Sequence, residues 1–493
     1  MNILFGCSEL YPLVKTGGLA DVAYNLPRAL QQLGHSVRII LPAYRGLIQM
    51  VNAARRVGRC TVYGHSVDVL ETSLRDSDLV LYLVDCPTLF DRGGGPYGDY
   101  SDTAWPDNAQ RFGLFCRVAV DMALDRFMLA WQPDIVHCND WQTGLVPVLL
   151  AVHEQRPASV FTVHNLGYQG LFPLAECESL ELPSAINGVP IRDFRALEFY
   201  GQLSFIKGGV VFADAVNTVS PGYAQEVLTP EFGCGLDGLL RHCGSRFSGI
   251  LNGIDTTIWD PSFDQAIAVN YEQKSLAGKQ LNKRALMREF SLSDNENALL
   301  LGVVSRLTDQ KGIDLILESL PLLLELPINL VVLGSGDSAI EKTLQACATQ
   351  HPNRISVRFG YDEALAHRII AGIDALLIPS RYEPCGLTQL YSQRYGTVPI
   401  AHAVGGLRDT IVDTGDRYLS PDKNTGILFH EFSVTAFVEA VTRAVDLHRE
   451  WSRWRQLQLA GMGRNFSWVA SAINYVELYH SAIGNKKNAV PGT

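Results

Sequence analysis

Residues 298–312 read ALLLGVVSRLTDQKG: an apolar run of strand length, a loop carrying Arg306 and Lys311, then Gly312 and the helix-like stretch IDLILESLPLLLEL. The chain opens on the same plan. NILFGCSE at residues 2–9 leads into a glycine-bearing loop, VKTGGLADV at 14–22, and the helix-like NLPRALQQLG. Two starts of one plan predict two Rossmann-like domains. Around them recur short runs of Val, Ile and Leu: RIILP, LVLYLVD, DIVHCND and SVFTVHN in the first half, INLVVLGSG, RISVRFG, DALLIPS and VPIAHA in the second. Strands this uniformly apolar are buried on both faces, which a parallel sheet covered by helices requires. The predicted class is α/β, doubly wound, with the domain boundary in the turn-rich NGIDTTIWDPSFD, after residue 255.

The 493 residues exceed what one core organises, at roughly 100–200 residues per domain. A net charge of -10 gives no general attraction to nucleic acid or anionic membrane, so any phosphate-bearing ligand must be held by locally placed Lys and Arg. The ten cysteines stand singly, without a Cys-x-x-Cys pair, and read as buried thiols in a reducing compartment. No signal-peptide pattern opens the sequence and no apolar run approaches the ~18 residues that span a bilayer. A soluble cytoplasmic protein is expected, a mature plastid-type context being left open. Near the end, Trp468, Tyr475 and Tyr479 fall at helical spacing, as in an amphipathic helix packed on its own domain, and residues 486–493 read as a disordered tail.

A dinucleotide-binding oxidoreductase would carry Gly-x-Gly-x-x-Gly after the first strand; FGCSEL stands there instead. Beyond it come Lys15, Thr16, Gly17 and Gly18. Glycines admit close backbone approach, a helix N-terminus presents N–H groups and lysine adds charge, a combination that suits phosphate. Equally, the glycines make a tight turn, with Asp21 as a favourable acid in the first helical turn. Arg306 and Lys311 follow a strand at the end where open α/β sheets bind ligands, and two cations there favour a diphosphate; Gly334, Ser335 and Gly336 form another glycine turn. In PSRYEPCGLTQLY, Glu383, Cys385, Gly386 and Thr388 precede helix-like sequence. These groups suit phosphate or vicinal sugar hydroxyls, although Glu383 serves equally as a helix-cap partner. His164 and Asn165 follow SVFTV directly, and Asp140 and Trp141 end the preceding strand. Ser-His-Asp order, His-Glu-x-x-His and carboxylate-rich metal clusters are missing from the sequence, which disfavours a hydrolase or metalloenzyme.

KTGGLADV, HNLGYQG, SRLTDQKG, PSRYEPCGLTQLYSQRYGTVPI and GGLRDT, in this order over nearly the whole chain, resemble the bacterial glycogen synthases and plant starch synthases, retaining glycosyltransferases of the GT-B fold. The resemblance implies two Rossmann-like domains facing a central cleft: 1–255 on the acceptor side, 256–466 binding the nucleotide sugar, and a helix at 467–485 crossing back to the first domain, which displaces the own-domain expectation. It implies ADP-glucose as donor, an α-1,4-glucan (maltooligosaccharide, glycogen or starch) as acceptor, and no metal or cofactor. Retention would proceed by same-face attack, with the leaving phosphate helping to take the acceptor's proton. On the matching residues, the catalytic set is His164, Glu383, Arg306, Lys311 and Asp21. The donor site comprises Lys15, Gly17, Gly18, Asn165, Gly336, Cys385, Gly386, Leu387 and Thr388, with Tyr361 beside the adenine. Glu9, Tyr97, Asp140 and Trp141 fall on the acceptor side.

The second acidic place of the broader retaining family is taken by Tyr391, as in the ADP-glucose users. Departures are Gly95 in DRGGGPYGD, where the family has Asn while Tyr97, Asp107, Asn108 and Arg111 remain, and His402 and Val404, where bacterial members often carry Arg and Thr. These leave fine donor preference, and glycogen against starch as product, open. The alternatives are a UDP-glucose-dependent GT-B transferase and a noncatalytic glucan-binding paralogue. Neither nucleic acid nor membrane is an expected partner, and the oligomeric state stays open.

Overall fold

The structure is a computed structural model and describes residues 1–75, 77–101, 103–293, 295, 297–415 and 423–488. The chain divides into two units, Met1–Gly253 joined by the C-terminal segment from Trp468, and Ile254–Ser467.

The strands of the first unit are β1 (Asn2–Gly6), β2 (Ser36–Pro42), β3 (Arg55–Val62), β4 (His65–Ser73), β5 (Val80–Asp85), β6 (Ile135–Asn139), β7 (Ala158–Val163), the short β8 (Leu171–Pro173), β9 (Ala185–Ile186), β10 (Val189–Pro190), β11 (Glu198–Phe199) and β12 (Gln202–Ser204), then β13 (Ala215–Thr218) and β14 (Phe247–Gly249). Nine of them form one sheet in the order β14-β13-β7-β6-β1-β2-β5-β4-β3. It is parallel except where β4 pairs antiparallel with β5 and β3. Every residue of β6 and β7 is buried, because apolar layers cover both faces. One layer contains Phe112, Phe115, Trp141 and Phe161, the other Phe5, Leu26, Tyr475 and Tyr479. Strand order reverses at β1, whose neighbours β2 and β6 lie on opposite sides, so the loops after β1, β6 and β7 gather at the carboxyl edge where such sheets bind ligands.

The second unit holds β15 (Leu299–Val304), β16 (Ile328–Gly334), β17 (Ile355–Phe359), β18 (Ala375–Ile378), β19 (Val398–His402) and β20 (Ile427–Phe429), an all-parallel sheet in the order β17-β16-β15-β18-β19-β20. Its reversal lies between β15 and β18, the strands that precede SRLTDQKG and SRYEPCG.

Three differences from the sequence expectation have physical reasons. The β3–β4 hairpin is missed by a search for uniformly apolar runs because it is an edge with one solvated face; its Arg59 makes a two-point pair with Asp68 at 2.6 and 2.8 Å, and the turn uses left-handed Tyr63 and Gly64. The stretch read as a connector belongs to the second unit, where Trp259 is stacked between His367 and Tyr391 at centroid distances of 3.7 and 3.8 Å. The division therefore falls before Ile254 rather than after residue 255.

The C-terminal helix runs Trp468–Asn488 and packs on the first unit's sheet through Trp468, Ala472, Tyr475, Tyr479 and Ala482. A polar chain fixes its register. Burial lowers the His137 pKa to about 3, so the ring is neutral. Thr162 donates to Asn217 Oδ1 at 2.6 Å and therefore accepts from His137 Nε2 at 2.7 Å, which leaves Nδ1 to accept from the Tyr479 hydroxyl at 2.8 Å. The helix continues past the expected end at 485 because Asn485 donates to the Asp214 carbonyl and Lys486 to the Arg156 carbonyl. Of the tail expected at 486–493, residues 489–493 lie outside the described residues. Among the described residues no helix is long and apolar enough to cross a membrane.

The second unit is pinned internally by Asp374, buried just before β18, whose Oδ2 accepts from Lys283 Nζ at 2.6 Å and from the Leu300 N–H at 2.8 Å. Burial opposes its charge, yet Lys283 holds its carboxyl well below the usual carboxylate range. Asp374→Asn, which strands a buried ammonium, is expected to cost about 3–5 kcal/mol in urea unfolding, with partial recovery on adding Lys283→Met. A cost below about 1 kcal/mol would show that this pair does not pin the unit.

Candidate functional site

In the first unit the loop after β1 is organised by Glu9, a buried carboxylate. Its Oε2 accepts the backbone N–H groups of Thr16 at 2.7 Å and Gly17 at 3.0 Å. Its Oε1 accepts the Tyr97 hydroxyl at 2.7 Å and the Thr16 hydroxyl. Ser8 Oγ lies 2.7 Å from the same phenol oxygen. Glu9 and Tyr97, expected on the acceptor side, thus shape the glycine loop from within, and the amides of Thr16 and Gly17 are already bonded before any ligand arrives. Lys15 donates to Asp21 at 2.9 Å, so the aspartate expected in the catalytic set is the ion-pair partner of the expected phosphate cation. Gly17 differs from most glycines of the chain: its backbone is extended, and a Cβ there would find no atom within 4 Å. Neither conformation nor packing requires glycine at this point. It caps the helix Gly18–Gln32 without a side-chain cap bond.

Asp140, one residue past β6, has φ 56° and ψ -178°, a region other residues leave to glycine. Its Oδ1 accepts the His164 N–H at 2.7 Å, tying the ends of β6 and β7 together. Burial pushes its pKa up to about 7, with Glu9's charge adding to the rise and the N–H groups of His164 and Asn165 opposing it. His164 is only partly exposed, and burial lowers its pKa to about 3. Its Nε2 lies 2.9 Å from Asn139 Oδ1. Asn165 closes a short turn by accepting the Gly167 N–H at 3.0 Å. Trp141 belongs to the aromatic core, 9% exposed and walled by Phe112, Phe172 and Phe205, because the loop that carries it folds inward under β8.

The second unit brings one of its two predicted cations to a buried carboxylate. Lys311 donates to Glu383 Oε2 at 2.5 Å, and Ser380 Oγ donates to the same oxygen at 3.0 Å. Arg306 is exposed, its guanidinium 3.3 Å from Gln310 Oε1. Arg381 locks the two loops together: its N–H donates to the Gln310 carbonyl at 2.9 Å and its guanidinium grips Asp314 at 2.6 and 2.8 Å. His402 Nδ1 faces the Ser380 carbonyl at 2.8 Å, and the ring so buttresses the turn that carries Glu383.

Beyond Glu383 the chain turns at Gly386 with φ +71°, which favours glycine. Gln389, buried, donates to the carbonyls of Cys385 and Gly386 at 2.9 and 3.1 Å, and Gly406 donates its N–H to the Glu383 carbonyl at 3.0 Å. The two glycine motifs therefore brace one another, with Leu387 and Thr388 opening the next helix. Gly336 has a packing reason to be glycine, since a Cβ would lie 2.3 Å from the Leu307 carbonyl, and its N–H donates to Glu341 at 2.9 Å. Tyr361, after β17, is 75% exposed. Asn139, Ser380, Gln389 and Arg381 were not singled out by sequence reasoning. The available signal was their position beside the chosen residues, one polar residue before Asp140 or within SRYEPCGLTQ.

The two family models that match are a starch synthase catalytic domain over residues 2–242 and glycosyl transferases group 1 over residues 287–456. The chain is 51% identical to glycogen synthase 1 of Methylococcus capsulatus, over 98% of this chain and 97% of that protein. It is 49% identical to the glycogen synthase of Cellvibrio japonicus, over 97% and 98%. Its structure resembles the catalytic domain of starch synthase IV from Arabidopsis thaliana, bound to ADP and acarbose, with a TM-score of 0.87 and 33% identity over 98% of this chain and 99% of that one. Sucrose-phosphate synthase from Thermosynechococcus elongatus, at TM-score 0.61 and 17% identity, shares the fold.

A raised carboxyl pKa in the folded state means that the folded chain binds more protons than the unfolded chain between about pH 4 and pH 7, so Asp140 weakens the fold as pH rises through that window. Asp140→Asn keeps the acceptor oxygen and removes the charge. Its melting temperature should exceed that of the parent at about pH 8, the gap narrowing toward about pH 4. A pH-independent gap would show that Asp140 does not titrate in this range.

Proposed function

The chain belongs to the glycogen and starch synthase family, as an ADP-glucose-dependent glucosyltransferase of the GT-B fold, and from that premise we propose how its residues serve the transfer of glucose to the non-reducing end of an α-1,4-glucan with retention at the anomeric carbon. In the second unit Arg306 and Lys311 neutralise the donor's diphosphate, and the backbone of Cys385–Thr388 approaches it. Glu383 accepts hydrogen bonds from glucose hydroxyls, and Tyr361 stacks on the adenine. In the first unit Lys15 adds a cation, Gly17 leaves the space in which a ligand atom can sit against the backbone, and His164 contacts the glucose with Asn165 at its side. The Lys311–Glu383 contact of 2.5 Å carries this reading, because it sets a phosphate-binding cation and a hydroxyl-binding carboxylate beside each other at the sheet's reversal point. That the related starch synthase IV domain binds ADP supports it.

Charge accumulates on the departing ADP in the transition state, and fixed cations stabilise it there more than in the ground state. A double displacement would need a carboxylate nucleophile near the anomeric carbon. Glu383 is engaged by Lys311 and Ser380, Asp21 by Lys15, and Glu9 by the glycine loop. This supports attack on the face that the phosphate leaves, with a phosphate oxygen taking the acceptor's proton. Asp21 then acts through Lys15, holding the ammonium until a phosphate competes for it.

Labelled glucose transfer to a maltooligosaccharide, compared for ADP-glucose and UDP-glucose, tests the reading. Lys311→Ala and Glu383→Ala should each lower kcat by about 100-fold or more with ADP-glucose, and Lys15→Ala should lower kcat/KM. Values of kcat within about twofold of the parent for both second-unit variants would refute the assignment.

A further inference from the structure

Asn139 ends β6 with no exposed surface. Its side-chain NH2 donates to the Gly6 carbonyl of β1 at 3.0 Å, and since a carbonyl oxygen only accepts, this bond fixes which way the amide points. The amide oxygen is left facing His164 Nε2 at 2.9 Å. An amide oxygen also only accepts, so the proton of a neutral His164 ring must sit on Nε2. Nδ1 then carries a lone pair. The backbone of the same residue is held by Asp140, so ring and main chain are both oriented from the end of β6.

We propose that Asn139 is a positioning residue for glucose transfer, holding His164 as the Nε2–H tautomer so that Nδ1 meets the donor sugar as an acceptor and selects a hydroxyl that donates its hydrogen. The proposal rests on the reading that His164 contacts the transferred glucose. An aspartate at 139 would put a carboxylate against Nε2 and favour the imidazolium, which has two donors and no acceptor. An alanine would leave the tautomer unselected and an imidazole N–H short of its buried partner.

Titratable groups that act on His164 or on its partner are His137, two residues before Asn139 on β6, Asp140, in the loop after β6, and Glu9, in the loop after β1, whose charge acts on Asp140. All three are common to the parent and the Asn139 variants, so a difference between their pH profiles reports on residue 139.

The test compares the full-length protein with Asn139→Asp, Asn139→Ala and His164→Ala, using ADP-glucose and a maltooligosaccharide from about pH 5 to about pH 9. Nitrogen-15 spectra of ring-labelled histidine run alongside, with the His164 signals identified by their loss in His164→Ala. The parent should show a protonated Nε2 and an unprotonated Nδ1 throughout. Asn139→Asp should bring His164 titration into this range and add an acid limb to kcat that the parent lacks, with activity recovering as pH rises. Asn139→Ala should lose about tenfold in kcat at every pH, with mixed tautomers and no new limb. A parent ring protonated on Nδ1, or an Asn139→Asp profile superimposable on the parent's, overturns the proposal; a purely structural asparagine would lower the melting temperature and activity without moving either readout. If His164→Ala keeps kcat within about twofold, the glucose-contact reading fails on its own, whatever the tautomer.

Discussion

A parallel strand buried on both faces can offer chemistry only at its ends, and that constraint organises both units. β6 and β7 in the first sheet, and β15 and β18 in the second, expose almost no side chain along their length. Glu9, Asp140 and His164 therefore follow neighbouring strands of one sheet, and Lys311 and Glu383 follow neighbouring strands of the other. The reversal of strand order does the gathering, because the connections on its two sides run to opposite faces and leave the edge between them open.

At that edge the polar side chains are arranged in pairs that hold one another. Glu9 holds the glycine loop, Asp21 holds Lys15, and Glu383 holds Lys311. Such pairs keep charges oriented in partly dry surroundings, where an uncompensated charge would cost several kcal/mol. They also fix each group's direction before substrate arrives, which is what stabilising a transition state by preset charges requires. The strained backbone at Asp140 fits this pattern, since the bond to His164 holds it in a conformation that aspartate otherwise avoids.

Much of this was legible in the chain. Apolar runs such as IVHCN and LLLGVV marked the inner strands because burial on both faces leaves no room for alternation, and Lys15, His164, Arg306, Lys311 and Glu383 stood out as polar residues just past such runs. The edge hairpin β3–β4 escaped because a strand with one wet face has a different pattern. The packing of Trp141 in the aromatic core was not legible, because an aromatic next to a loop aspartate looks the same in sequence whether its ring faces ligand or core.

What the sequence determined by itself was the α/β class, the two domain starts and the residues eligible to meet a phosphate or a sugar, since these depend on local composition and period. Only the tertiary structure decided what each eligible group does. Tyr97 meets Glu9 across 88 positions, Glu383 meets Lys311 across 72, and Tyr479 meets His137 across 342. A hydrogen bond depends on distance and direction in space, and no local pattern encodes either for residues so far apart along the chain.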